Sequence, residues 1–199
     1  MTDAVSIVAV SGSLHAPSKT TVLATELLAS FTAAIEGAVP SGVAVEPHLI
    51  ELGEIGRDFS GALRRDELSP AAEEALRRIE SATLLIVASP VYRASFTGLF
   101  KHVFDFVGQY SLIDKPVLLA ATGGSDRHAL IIEHQFRPLF SFFQALTLPI
   151  GVYASDADFV DYRIESEALH ERIEQAVTRG LPVVRGTLPD AVSEYVSTW

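Results

Sequence analysis

Two uninterrupted apolar runs, Thr83–Ala88 (TLLIVA) and Val117–Ala121 (VLLAA), constrain this chain more than any other feature. A strand with one wet face alternates apolar and polar residues. A run with no polar side is covered on both faces, as happens in a parallel sheet between two layers of helices. Ser6–Val10 is a shorter β-branched run of the same kind, and Thr147–Tyr153 is another, interrupted by Pro149. Val43–Leu52 (VAVEPHLIEL) alternates like a strand. Between these runs the spacing predicts helices over Thr20–Glu36 (closed by Gly37), from Ser69-Pro70 onward, and over Gly98–Val107, Ala129–Leu146 and Glu165–Arg179. Ser69 supplies an N-cap and Pro70 a pre-set first helical residue. Strand-then-helix repeated five times gives an α/β fold, a doubly wound sandwich.

The 199 residues suit one domain, since single cores grow to roughly 250–300 residues. Residues 1–180 are assigned to that domain, and 181–199, which carry two prolines, are expected to form an extended C-terminal arm. With no cysteine there is no disulfide, thiolate metal site or cysteine nucleophile. A net charge of −10 disfavours nucleic acid, whose phosphates are met by clustered Lys and Arg. No run approaches the ~18 apolar residues of a membrane span. The opening MTDAVSIVAVSGS lacks a basic n-region. The expectation is a cytoplasmic protein without membrane contact.

In open parallel sheets ligands bind beyond the C-terminal strand ends, and three unusual loops fall there. Ser11–Thr21 (SGSLHAPSKTT) leads into the first helix, whose free N–H groups and partial positive charge suit an anion. Ser11, Ser13, Ser18, Thr20 and Thr21 add hydroxyl donors without fixed charge, which suits a monophosphate; the same segment would also serve as an ordinary capping loop. Neither G-x-x-x-x-G-K-[ST] nor G-x-G-x-x-G is present. Ser89–Gly98 (SPVYRASFTG) offers aromatic surface at Tyr92 and Phe96, a cation at Arg93, and backbone N–H groups from Val91 to Ser95 expected to face a flat heteroaromatic ring. Tyr92 as a half-buried anchor and Arg93 as a surface ion-pair partner explain it equally well. Ala121–His128 (ATGGSDRH) contains Gly123-Gly124, which permits φ > 0 and close backbone approach, or simply a tight turn.

Together these blocks, with LLIVASPVYRASFTGLFKHVFD and GVYASDADFVDY, resemble the NAD(P)H-dependent FMN reductases of flavodoxin-like fold. The likeness runs from about Ser6 to Tyr162 and is strongest to the flavin reductases of two-component alkanesulfonate monooxygenases. The resemblance implies a five-stranded parallel sheet of order 2-1-3-4-5 with FMN at the strand ends. NADH or NADPH would reduce free flavin, which passes to a transient flavin-dependent monooxygenase partner. It also implies that Ser11, Ser13, Ser18, Thr20 and Thr21 hold the FMN phosphate. Pro90, Val91, Tyr92, Arg93 and Ser95 would lie along one side of the isoalloxazine, and Thr122, Gly123, Gly124 and Ser125 near the other edge. His15 stands where the family is variable and receives no role.

Hydride transfer to flavin N5 is the cofactor's chemistry, so backbone dipoles near N5 and the N1–O2 edge suffice and no catalytic side chain is expected. Arg93 is a candidate for the nucleotide's phosphates. His128 and His134, six residues apart, do not share a helix face, and no metal site is assigned. A flavin-retaining quinone or azo-dye reductase and a flavodoxin-like electron carrier are the alternative functions. The segment HALIIEHQFRPLFSFFQAL is too apolar all round for a helix with one wet face. With Gly98–Val107 it points to a homodimer or homotetramer. Pro138 within it predicts a kink or π-bulge near His134.

Overall fold

The computed structural model describes residues 4–188. Strands β1 (Val5–Ser11), β2 (Val45–Glu51), β3 (Leu84–Pro90) and β4 (Pro116–Gly123) form a parallel sheet in the order β2-β1-β3-β4. Its fifth position is split between β5 (Leu146–Thr147) and β6 (Val152–Ser155), each parallel to β4. The expected order 2-1-3-4-5 is therefore present, with the last strand broken around Pro149, which cannot donate to a ladder. At the opposite border β2 carries Pro47, paired in register with Ile7.

The continuous apolar runs are buried on both sides. Val8, Val10, Leu85, Val87, Val117 and Leu119 face one core, while Ile7, Ala9, Leu84, Ile86, Leu118 and Ala120 face the other. The second core is closed by α1 (Lys19–Glu36) and by the long C-terminal helix Glu167–Gly186. Ser18 caps α1 by accepting the Thr21 N–H at 3.2 Å, and Gly37 ends it. The loop after β2 contains one helical turn, α2 (Leu52–Ile55), before α3 (Pro70–Ser81), which Ser69 caps through the Ala72 N–H. With α4 (Gly98–Phe106) and α5 (Arg137–Phe142), α3 covers the first core. Arg65 fastens this layer: its guanidinium donates to both oxygens of Glu73 at 2.9 and 3.0 Å and both of Glu80 at 2.6 and 2.9 Å. Glu80 in turn accepts the Gly108 N–H at 2.8 Å, beyond the end of α4.

Two expectations need correction. A single helix over Ala129–Leu146 does not form. Pro138 lacks an N–H and crowds the carbonyl four residues back, and the chain answers with a π-helical turn at Ile132–Phe136, in which the Arg137 N–H reaches the Ile132 carbonyl. Then α5 stops at Phe142, and Gln144 at φ 57° turns the chain toward β5. The expected arm at 181–199 is not extended at its start. Residues 181–186 continue the last helix, α6, through Pro182. The cost of an interior proline is offset by packing: Val184 is fully buried, and Gly180 sits where a Cβ would come within 2.7 Å of Leu148 and 3.1 Å of Phe31. Residues 189–199 lie outside the described residues. No helix among the described residues is long and apolar enough to cross a membrane.

Candidate functional site

Beyond the C-terminal ends of β1, β3, β4 and β6 lies a cleft of about 320 Å³, at the small end of the range that holds cofactors. Other hollows lie elsewhere, among them one of about 430 Å³ at the opposite strand ends, one of about 510 Å³ beside β6 and one of about 470 Å³ between β2 and α3. Sheet geometry rather than size selects the first, because α1 opens onto it. The Thr21 N–H is used by the Ser18 cap, so the helix's remaining leading amides, those of Lys19 and Thr20, have no partner among the described residues.

The floor of the cleft is fixed by hydroxyls. Thr20 Oγ1 and Thr122 Oγ1 are 2.6 Å apart and buried, tying the first turn of α1 to the end of β4. Toward β2, Ser11 and Thr21 hydroxyls are 2.8 Å apart, and Thr21 donates to Glu51 at 3.2 Å. Since one hydroxyl has one proton, Ser11 donates to Thr21 and the relay ends on the β2 carboxylate.

The wall formed by Ser89–Gly98 is a tight antiparallel turn. Tyr92 and Ser95 exchange N–H to carbonyl bonds at 2.8 and 3.1 Å, with Arg93 and Ala94 at φ 51° and 67°. Both central residues in the left-handed region make this a type I′ turn, here without glycine, a local strain of the kind kept where a loop has work to do. The expectation of free N–H groups from Val91 to Ser95 is thereby corrected. Val91 donates to the Thr122 carbonyl at 2.8 Å and Tyr92 and Ser95 to each other, leaving Arg93 and Ala94 at the exposed tip. A second turn of this type, Asp161–Tyr162 at φ 46° and 60°, joins β7 (Phe159–Val160) to β8 (Arg163–Ile164) and places Tyr162 at the cleft.

The third loop also differs from expectation. Neither Gly123 nor Gly124 has a positive φ. What Gly123 provides is room, because a Cβ there would run into the Tyr153 hydroxyl. That hydroxyl donates to the Ser125 carbonyl at 2.6 Å and so holds the loop from below. Burial and then the carboxylates of Asp126, Asp156 and Asp158 push the Tyr153 phenol above its ordinary value, which keeps it a donor. Gly124 is open: a Cβ at that position would meet nothing nearer than Asp156, at 3.8 Å.

Of the residues singled out by sequence, Ser13, Ser18, Thr20, Pro90, Val91, Tyr92, Thr122, Gly123 and Gly124 line this one cleft. Ser11 and Thr21 are turned into the relay toward Glu51, Arg93 projects at the turn tip, Ser95 donates to Gln135 at 3.1 Å, and Ser125 offers its carbonyl to Tyr153. Five lining residues received no site role from the sequence: His15, Pro17, Lys19, Asp156 and Tyr162. Lys19 was visible only as a break in a P-loop pattern. Its Nζ donates to Asp156 Oδ1 at 2.8 Å, so the pocket is not free of fixed charge as expected. Among these residues an FMN fits on its chemistry. Unpaired amides, Ser18, Thr20 and Lys19 suit a phosphate, Pro90, Val91 and Tyr92 a flat apolar ring, and the open Gly124 backbone a heteroatom edge.

The model of the family described as NADPH-dependent FMN reductase matches residues 5–159. The chain belongs to that family. It is 53% identical over 183 residues to the NADH-dependent FMN reductase SfnE of Pseudomonas putida, covering 92% of this chain and 94% of that protein. It is 50% identical over 186 residues to an FMN reductase (NADPH) of Pseudomonas aeruginosa, covering 94% and 96%. Among solved structures, an oxidoreductase from Corynebacterium diphtheriae superposes with a TM-score of 0.81 at 32% identity, over 91% of this chain and 97% of the other. A WrbA-like flavodoxin protein from Agrobacterium tumefaciens, at 16% identity and TM-score 0.57 over 92% and 96%, shares the fold. The fold is flavodoxin-like, and this member of the family is an oxidoreductase acting with FMN and a nicotinamide nucleotide.

Proposed function

We propose that this FMN reductase takes hydride from NADH or NADPH onto FMN and releases the reduced flavin to a flavin-dependent monooxygenase of the alkanesulfonate type. The observation that carries the reading is one cleft at the strand ends in which the unpaired start of α1 and an apolar wall meet. Similarity to NADH-dependent FMN reductases, SfnE of Pseudomonas putida and SfnF of Pseudomonas fluorescens, supports FMN as the flavin. Flavin N5 supplies the hydride-accepting chemistry when FMN is bound.

The chain's own part is positioning. Lys19 and Thr20 amides, with the hydroxyls of Ser18 and Thr20, hold the phosphate end, while Ser13, whose hydroxyl donates to the His15 carbonyl at 3.1 Å, shapes the loop around it. Pro90, Val91 and Tyr92 offer the ring an apolar face, and the Gly123–Ser125 backbone, braced by Tyr153, meets its polar edge. Ser11, Thr21, Arg93, Ser95 and Ser125 act around this shell: the first two by fixing the loop, Arg93 as an exposed cation within reach of the nucleotide's phosphates. No side-chain acid or base is required, since preorganised amides stabilise charge gained by the ring. The same reading makes the protein a cytoplasmic homodimer or homotetramer.

A steady-state assay crossing NADH and NADPH with FMN, FAD and riboflavin tests it. Turnover of free FMN by either nucleotide is the expected result. No nucleotide oxidation would favour an electron carrier, and activity confined to quinones or azo dyes a flavin-retaining reductase.

A further inference from the structure

Building on this flavin reading, we infer that Asp156 is a built-in counter-charge that occupies Lys19 and keeps the phosphate end of the cleft weak for a dianion, so that FMN exchanges instead of staying. Lys19 and Asp156 are the permanent charges among the residues lining the cleft, one of each sign, so the lining is formally neutral. The incoming phosphate ester carries about −1.5 to −2 at neutral pH. The rest of the molecule offers no help, at a net charge of −10.

The geometry holds the ammonium on the β6 side. Lys19 Nζ donates to Asp156 Oδ1 at 2.8 Å, approaches the Asp156 carbonyl at 3.4 Å, and stands 5.7 Å from the centre of the Phe159 ring. The other carboxylate oxygen lies 3.8 Å from where a methyl on Gly124 would sit, so Asp156 borders the glycine loop as well as the first turn of α1. Both partners are wet, the side chains 30% and 63% exposed. Exposed pairs are weak, so Lys19 is able to turn from Asp156 to a phosphate. The carboxylate remains beside the bound dianion and repels it. A site with the same lysine and no Asp156 would grip FMN; with both, it binds and lets go, as a flavin shuttled to another enzyme requires.

The test is a fluorescence titration of FMN and of riboflavin, which lacks the phosphate, with wild-type protein, D156N and K19M. D156N is expected to bind FMN about three- to tenfold more tightly, a gain that shrinks as salt is raised, with riboflavin affinity unchanged. K19M is expected to lose FMN affinity by a similar factor and to keep riboflavin. FMN affinity unmoved or weakened in D156N, FMN affinity unmoved in K19M, or equal shifts for both flavins would overturn the inference while leaving the flavin reading intact. Wild-type protein that bound neither flavin would overturn that reading itself, and the inference with it.

Discussion

At the scale of single residues, Gly123 and Tyr153 define one fit. The glycine is required because the tyrosine hydroxyl occupies the space of a Cβ, and the tyrosine is positioned because its hydroxyl holds the Ser125 carbonyl. G123A is therefore expected to destabilise the protein by about 1–3 kcal/mol, the usual cost of overpacking. Y153F removes the clashing oxygen together with its hydrogen bond to Ser125, so G123A should cost far less in a Y153F background than in wild type in a urea titration. A G123A deficit as large in the Y153F background would show that the strain lies elsewhere. Neither residue announces this in sequence. A Gly-Gly after a strand reads as a turn or a backbone approach, and only the register of β6 against β4, which pairs Tyr153 with Ala121 and Ser155 with Gly123, brings the phenol beneath it. Lys19 and Asp156 were illegible for the same reason: 137 positions separate them. The Ser69 cap was legible because a cap is a local event, settled within three residues.

At the scale of elements, apolar runs located β1, β3 and β4 to within two residues, since each run is short, rich in branched side chains and bounded by polar or turn residues. Helix ends were harder wherever tertiary packing competes with propensity, as at Pro138 and Pro182. The loop between β2 and α3 carries no sequence pattern of its own and is fastened by Arg65. R65M should lower stability at neutral pH by about 2 kcal/mol, the worth of hydrogen bonds to charged partners, or roughly 4–8 °C in melting temperature for a chain of this size. The pH dependence has a definite sign. Hydrogen bonding by Arg65 holds the Glu73 carboxyl below its ordinary value, with burial opposing and Arg77 adding to it. A depressed carboxyl stabilises the fold above its unfolded value and loses that contribution as pH falls through the folded one. The gap between wild type and R65M should narrow near pH ~3. A gap that stays constant from neutral pH to that point would mean the guanidinium acts by packing alone.

For the molecule as a whole, the helices over the first core leave apolar side chains outside. Phe142 is 61% exposed and Tyr110 67%, with Ile113 and Leu146 nearby on segments stitched together by Asp114 N–H to the Gln144 carbonyl at 3.1 Å and Leu146 N–H to the Lys115 carbonyl at 2.9 Å. Such a patch suits self-association. Light scattering at micromolar concentration should give two or more copies, and F142D a smaller species; a wild-type monomer would refute the assembly. For the proposed self-association, the two prolines at the margins of the sheet, Pro47 in β2 and Pro149 between β5 and β6, set which contacts are open to a second copy. Each interrupts the row of amide donors that a neighbouring backbone would need to zip onto. Copies of this chain are thus steered away from runaway strand addition toward contacts made by helical side chains, which close on themselves and stop.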